Sequence, residues 1–285
     1  MKIRILGSGA SEGIPAFLCD CPLCAQARRR RGREIRQNAC AYVEAASGEG
    51  LLIDMPPQLK AAWDETRLDH SRLLAVLITH YHSDHTFGLR YLLEAIPENG
   101  YHQARKVDCY LPADAMRRAV QRMYPDRRYP AEGCRERFFS LNPIQVYQEL
   151  SLGPFTVTPL ETNHLKRNHG DGSLEGETFG YLVRDAGGKR FAYMLDAQVD
   201  MPEATYRRLS REPLDCLVFE CSFARLDPPF GHTDLEGIVE VQRRLKPRLT
   251  VASHISHRTL GHRELEKALR PHGILPAYDG MLIRI

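Results

Sequence analysis

The segment Thr79-His80-Tyr81-His82-Ser83-Asp84-His85 constrains this chain more than any other, because it puts four potential metal ligands directly after the apolar run Leu73-Leu74-Ala75-Val76-Leu77-Ile78. In extended backbone, side chains two apart point the same way, so His80 and His82 can offer imidazoles to one ion. Asp84 and His85 fall past the turn and can face a second ion, as hydrolytic two-metal sites require. Histidines are often exposed or satisfied locally, and a pair of them proves nothing. With 12 His in 285 residues, however, a chance match to His-x-His-x-Asp-His is on the order of one in a thousand. The spacing is therefore read as a metal site at a strand end.

A length of 285 residues allows one large domain or two small ones, and 43% hydrophobic with 26% charged residues is ordinary for a soluble globular chain. The net charge of +3 is too mild to point to nucleic acid and does not exclude an anionic small substrate. No apolar stretch reaches the roughly 18 residues of a membrane span, and MKIRILGSGAS lacks the apolar segment of an export signal, so a cytoplasmic location is expected. There, cysteines crowded as Cys19-Asp20-Cys21-Pro22-Leu23-Cys24 favour metal binding over disulfides, while Cys109 and Cys216 in strand-like runs read as small buried hydrophobes. Three thiolates leave a tetrahedral zinc short of one ligand, which must come from elsewhere in the chain.

Along the chain, residues 2 to 6 alternate polar and apolar and run into Gly7-Ser8-Gly9, a tight turn that could alternatively cradle a phosphate. The basic run from Arg28 to Arg36 reads as a solvated stretch. Ala41–Ala45 and Leu51–Asp54 form a hairpin, and Asp54 closes a strand near the metal motif. Helices are expected over Pro56–Leu68, from Phe87 through Ile96, and over Ala113–Met123, with irregular chain to about residue 140. Phe155–Leu160 leads to His164. Phe179–Val183 pairs with Arg190–Leu195 in a hairpin ending on Asp196, and Leu214–Phe219 is a further strand. Thr233 with Glu236 fits a capping box that opens a helix through Leu245, and Arg248–Ala252 ends in Ser253-His254-Ile255-Ser256-His257.

His80, His82, Asp84, His85, His164, Asp196 and His254 thus each lie at or just after a strand end and should converge on one rim. That number of ligands suits two divalent ions, zinc, manganese or iron. A water shared by two such ions ionises near neutral pH and can attack phosphorus; the departing alkoxide then needs a proton, for which His232 is the candidate acid.

The His-x-His-x-Asp-His segment closely resembles the metallo-β-lactamase superfamily. The resemblance implies a four-layer αβ/βα sandwich in a single domain over residues 1–285. It also implies that His80, His82 and His164 hold one ion, that Asp84, His85 and His254 hold the other, and that Asp196 bridges both. A carboxylate at position 196 resembles the phosphodiesterase, nuclease and glyoxalase II branches. Gly7-Ser8-Gly9, Ile14-Pro15-Ala16, the cysteine triad, the metal motif, Phe179-Gly180-Tyr181-Leu182, Ser253–His257 and Tyr278-Asp279-Gly280-Met281 together look like the PhnP family, over nearly the whole chain. These are phosphoribosyl cyclic phosphodiesterases associated with phosphonate metabolism. The likeness implies that Cys19, Cys21, Cys24 and His257 complete a structural zinc shell and that His232 is an active-site histidine. The segment KRNHGDGSLEGE over residues 166–177 is longer than that family leads one to expect, and it contains His169.

The expected activity is accordingly dimetal hydrolysis of a small cyclic phosphodiester, phosphoribosyl 1,2-cyclic phosphate first and nucleoside 2′,3′-cyclic phosphates as analogues. Catalysis is assigned to Asp84 and His232. The expected partner is this small molecule, with neither membrane nor nucleic acid, and a homodimer is compatible with the sequence. A tRNA 3′-processing endonuclease would want a basic, glycine-rich arm, for which Arg28–Arg36 is the nearest substitute. A non-hydrolytic protein of the PqqB kind would tolerate eroded ligands, whereas this chain carries all seven.

Overall fold

The computed structural model describes residues 1–94, 106–123, 139–164, 176–226 and 231–285. Apolar β-branched and aromatic runs form β1 (Lys2–Gly7), β2 (Cys40–Glu44), β3 (Gly50–Ile53), β4 (Leu73–Leu77), β5 (Val107–Pro112) and β6 (Phe139–Ile144). They continue as β7 (Leu150–Leu152), β8 (Phe155–Glu161), β9 (Phe179–Asp185), β10 (Arg190–Met194), β11 (Cys216–Glu220), β12 (Thr250–Ser253), β13 (Ile274–Pro276) and β14 (Leu282–Arg284). These build two seven-stranded sheets, ordered β14-β1-β2-β3-β4-β5-β6 and β13-β12-β11-β10-β9-β8-β7. The last strand of the chain returns to pair with the first, Ile3 opposite Ile283.

Period-two alternation decides which side chains meet between the sheets. Ile3, Ile5, Val43, Leu51, Ile53 and Leu77 from the first sheet share one buried cluster with Phe155, Val157, Tyr181, Val183, Phe191 and Val218 from the second. The opposite faces are covered by helices. On the first sheet, α2 (Leu59–Thr66), α4 (Leu89–Leu93) and α5 (Ala113–Met123) contribute Leu59, Ala62, Leu89 and Ala115. On the second, α1 (Pro22–Arg30), α6 (Glu203–Ser210), α7 (Leu235–Leu245) and α8 (His262–Leu269) supply Ala27, Tyr206, Leu209, Ile238, Val241 and Leu265. The order helix, sheet, sheet, helix is the four-layer αβ/βα sandwich.

Strand direction sets the rim. In the second sheet β10, β11 and β12 run parallel, and β8 is parallel to β10 through the antiparallel β9 between them. Their carboxyl ends therefore share one edge. At that edge the two sheets are laced together: the Ala10 N–H donates to Ile255 O at 3.1 Å and the Ile255 N–H to Ser8 O at 2.9 Å. Gly7 is needed here because a Cβ would sit 1.9 Å from Asn38 O. The Ser8 amide, which a phosphate would require, donates to Asp279 Oδ1 at 2.9 Å, so Gly7-Ser8-Gly9 serves close backbone approach and not an anion.

Beneath this junction lies a buried cation. Arg36 is 2% exposed; its guanidinium donates to Ser8 Oγ and Ala277 O, and burial pushes its pKa down to about 10 despite the nearby Asp279 and Glu34 carboxylates. Asp279→Ala removes a compensating charge from a dry site and is expected to cost about 3 kcal/mol in urea denaturation. An unchanged midpoint would mean that the carbonyl and hydroxyl partners suffice.

Several elements differ from the sequence-based expectation. The basic run begins inside α1 and is exposed from Arg28 to Arg33 as expected, with Arg28 donating to Cys19 O and Ala16 O, but its last member, Arg36, is buried. The edge strands β6 and β7 lie in chain to which the sequence pattern assigns no element; they are short or partly exposed, and such strands lack a strong apolar signature. Thr233 is not the cap of α7. Its hydroxyl donates instead to Ala197 O, and Asp234 one residue later accepts from the Gly237 N–H at 3.0 Å. Ile96, Cys134, His169 and most of the segment 166–177 lie outside the described residues.

Candidate metal centre

The rim gathers its ligands from four strand ends. Past β4, the chain leaves the sheet at Thr79 and enters the short helix α3 (Ser83–Thr86), so His80 and His82 precede the helix while Asp84 and His85 sit on it. His164 follows β8, Asp196 follows β10, and His254 follows β12. Asp54 (φ 66°), Asp196 (φ 48°) and His254 (φ 55°) turn off their strands in the left-handed region, a conformation uncommon outside glycine that concentrates at functional sites.

Two ligand clusters result. His80, His82, His164 and Asp196 bring one donor atom each within 4.8 Å of one another, and so do Asp84, His85 and His254. Asp196 faces both. Its Oδ1 lies 3.4 Å from His164 Nε2, while Oδ2 lies 3.1 Å from His85 Nε2 and 3.3 Å from His254 Nε2. In the first cluster His82 Nδ1 is 3.4 Å from His164 Nε2; in the second Asp84 Oδ2 is 3.2 Å from His85 Nε2. Ligands around one ion at roughly 2.0–2.2 Å are separated by roughly 3.0–3.4 Å, so these spacings suit metal coordination.

The outer nitrogens of the rings are already committed. His85 Nδ1 meets Asp54 Oδ2 at 2.7 Å, His80 Nδ1 meets Thr79 Oγ1 at 3.0 Å, His254 Nδ1 meets Ser222 Oγ at 2.9 Å, and His164 Nδ1 meets Gly231 O at 2.5 Å. Each ring is thereby aimed with Nε2 inward, the orientation second-shell partners impose on metal-binding histidines. The inward atoms His80 Nε2, His85 Nε2, His254 Nε2 and Asp196 Oδ2 are buried with no hydrogen-bond partner. Buried polar atoms are rarely left this way, and divalent cations would satisfy all four at once. Charge divides the ligands: against burial, Asp84, Asp54 and Asp196 raise His85, and Asp196 and Asp84 raise His254, so these rings attract the positive charge that a bound cation would supply in its place. Burial and the neighbouring His85 hold His80 well below the ordinary histidine range, as a neutral ligand needs. Burial would raise the pKa of Asp196, yet His254, His85, His164 and His80 outweigh it and keep the carboxylate ionised.

Asp54 is the outer partner with the most consequence, because it also accepts from the Thr79 N–H at 2.9 Å and is fully buried. Asp54→Asn should weaken metal binding about 10–100-fold, measured by competition with a chromogenic chelator. Retention of full affinity would show that Thr79 alone orients His85.

His232 stands beside the clusters. Its ring stacks on His254 at 5.7 Å, and Nδ1 lies 2.5 Å from Glu220 Oε1 and 3.9 Å from Asp196 Oδ1. Glu220 is wholly buried at the end of β11, where it also accepts from the Ala197 N–H at 2.7 Å and from Ser222 Oγ at 2.5 Å. Burial works against charge on His232, but Glu220, then Asp196 and Asp84, raise it to about 9. Reading the sequence missed Glu220 and Ser222. The only trace was a carboxylate closing the otherwise apolar run Cys-Leu-Val-Phe-Glu.

Away from the rim, Cys19 Sγ, Cys21 Sγ and Cys24 Sγ lie 3.3, 3.6 and 3.6 Å from His257 Nδ1. Ligands of one tetrahedral zinc with thiolate and imidazole donors are roughly 3.6 Å apart, so this group also fits an ion. The Cys24 N–H and the other partners of Cys21 draw its thiol down to about 6, whereas burial pushes Cys24 up to about 12. Glu12 holds the histidine in place: Oε1 accepts from Ser256 Oγ at 2.6 Å and from the His257 N–H at 3.3 Å. Cys40, Cys109, Cys216 and Cys221 are buried free thiols.

Comparison with known proteins adds three likenesses. Coenzyme PQQ synthesis protein B of Xanthomonas oryzae pv. oryzae is 29% identical over 197 residues, 65% of this chain and 62% of that protein, so the chain matches less than two thirds of that relative's length. Among solved structures, a diphosphatase from the PhnP family superposes with a TM-score of 0.78 at 23% identity, covering 100% of this chain and 97% of the other. Zinc-bound PqqB from Methylobacterium extorquens superposes with a TM-score of 0.80 at 20% identity over 100% of both chains. At such identities the structural likeness is one of fold. The family described as "Beta-lactamase superfamily domain" matches residues 51–255, a span that holds all the rim ligands and leaves Cys19, Cys21, Cys24 and His257 outside. With more than two thirds of its length inside that match, the chain belongs to the beta-lactamase superfamily and has the fold of its metal-dependent hydrolases.

Proposed function

We propose that this protein hydrolyses a small cyclic phosphodiester, phosphoribosyl 1,2-cyclic phosphate or a nucleoside 2′,3′-cyclic phosphate, with residues 1–285 acting as one domain. The observation that carries the reading is the sharing of Asp196 between two ligand clusters with the His232–Glu220 pair alongside. His80, His82 and His164 would hold one divalent ion and Asp84, His85 and His254 the other, with Asp196 between them; Cys19, Cys21, Cys24 and His257 would hold a structural zinc. Two divalent ions, when bound, supply Lewis acidity at phosphorus and an activated water at neutral pH.

The chain's own residues supply the rest. Asp54, Thr79 and Ser222 fix the rings, so the site is organised before substrate arrives. Glu220 accepts the Nδ1 proton of His232, which leaves Nε2 to carry the proton that the departing ribose oxygen needs. A nucleophile and an acid on either side of one phosphorus suit in-line displacement within a strained ring. The resemblance of the cysteine triad, the rim motif and Tyr278-Asp279-Gly280-Met281 to the PhnP family supports the phosphoribosyl ester in particular.

The test is hydrolysis of phosphoribosyl 1,2-cyclic phosphate, a nucleoside 2′,3′-cyclic phosphate and a tRNA precursor by protein of measured metal content, with Asp84→Ala as control. Turnover of either cyclic ester, lost in the control, is the expected result. Cleavage of tRNA alone would sink the reading. A role in cofactor synthesis is the second reading, favoured by the identity with coenzyme PQQ synthesis protein B; metal-loaded protein inert on all three substrates would promote it.

A further inference from the structure

A cavity of about 600 Å³ opens on the outer face of the second sheet, between that sheet and α6. Arg184 of β9, Arg190 of β10, Arg207 and Arg208 of α6, and Arg211 just beyond it all line this space. The carboxylates in the lining are Glu149 and Glu212. Arg190 and Arg184 are directly opposed in the antiparallel pairing of β10 with β9, and Thr156 of β8 continues the row on the other side of Arg184. Like charges directly opposite across strands are destabilising, and so are like charges four apart on one helix face, as Arg207 and Arg211 are.

These cations are not neutralised from within. Arg190 is 5% exposed and spends its guanidinium on the carbonyls of Glu212, Arg208 and Pro213, with Glu212 Oε2 3.7 Å from Nε. Arg208 lies over the Tyr147 ring at 3.9 Å. Arg184, Arg207 and Arg211 are exposed and, among the described residues, make no ion pair. Burial lowers the pKa of Arg190; Glu212 and Asp215 oppose this, while Arg184 and Arg211 press it further down, so these charges act on one another across the cavity. Arg184, Arg207 and Arg211 thus present three guanidiniums, unpaired among the described residues, to a space of small-molecule size, beside Arg190 and Arg208, whose guanidiniums are held by carbonyls and by the Tyr147 ring.

We propose that this cavity binds a multiply charged phosphate compound, a pyrophosphate or the polyphosphate of a nucleotide, at a place separate from the metal rim. Guanidinium forks match phosphate oxygens in pairs, and several in one cavity favour adjacent phosphates over a single one. The separation follows from the strand: Arg190 opens β10 and Asp196 lies just past its far end, about 20 Å away at the rise of an extended chain. The ligand therefore occupies a site of its own, and its binding is independent of turnover at the rim.

Titration calorimetry of the metal-loaded protein with pyrophosphate and with ATP, without magnesium, tests this. Binding should weaken at least about tenfold in the double variant Arg207→Glu, Arg211→Glu, whose turnover of the cyclic ester at the rim should stay unchanged. Inorganic phosphate should bind more weakly than pyrophosphate. If the charge-reversed protein does not fold, Arg184→Thr, which repeats the neighbouring residue of the row, takes its place. Binding by the arginine variants equal to the parent's, loss of cyclic-ester turnover in step with loss of binding, or affinity for single-stranded RNA without affinity for pyrophosphate would each overturn the proposal.

Discussion

Asp196→Ala is expected to reduce hydrolysis of the cyclic ester by about 10³-fold or more, together with a fall in bound metal, while the circular-dichroism spectrum stays that of the parent. The magnitude follows from position. Asp196 is 2% exposed and offers one oxygen to each ligand cluster, so its loss leaves His164 on one side and His85 and His254 on the other without their shared anion. Several kcal/mol of transition-state charge stabilisation are at stake, and each 1.36 kcal/mol is a factor of ten in rate. Asp196→Asn keeps the volume and one oxygen but removes the charge, and it should retain more metal than the alanine variant without recovering the rate. Parental turnover by either protein would show that the two clusters do not act together.

His232→Ala should lower kcat by about 10²–10⁴-fold, and because a ring nitrogen of His232 also lies within 4.8 Å of donor atoms of Asp196 and His254, the metal content of the variant is measured beside its rate and should match the parent's. An acid matters only when the leaving oxygen needs a proton. A p-nitrophenyl phosphodiester, whose leaving group departs as a stable anion, should therefore lose much less in the same variant; equal losses on both substrates would assign His232 to binding. The pH profile carries a further sign. Against burial, Glu220 raises His232 to about 9, so the protonated acid prevails at neutral pH and its contribution declines as pH climbs through that pKa. Divalent cations held at the rim would push the value lower. Glu220→Gln removes the carboxylate that raises it, and the alkaline limb should move to lower pH. A limb that stays in place would separate Glu220 from the acid's titration.

How much of this could be read from the chain depends on the range of the interaction. The run Leu73–Ile78 followed by His-x-His-x-Asp-His declares a strand and a ligand group through spacing alone, because periodicity and turn chemistry are local. The hairpins β2–β3 and β9–β10 were legible in the same way. The cap of α7 was not, because Thr233 and Asp234 are both acceptable caps and the choice was made by Ala197, whose carbonyl takes the threonine hydroxyl from 36 residues away. The strands β6 and β7 were missed because edge strands bury little and therefore pattern weakly.

Residue types and local order were thus determined by the sequence itself: which segments extend, which coil, and which side chains could ligate an ion. The tertiary structure alone decided which donors face each other and what holds them there. Asp54 orients His85 across 31 residues of chain, Ser222 meets His254 across 32, and Glu220 reaches His232 only because β11 ends on the same rim as β10 and β12. The opposed Arg184 and Arg190 are likewise a product of register. Such pairings depend on strand order and direction, which burial between two sheets selects and no local pattern encodes.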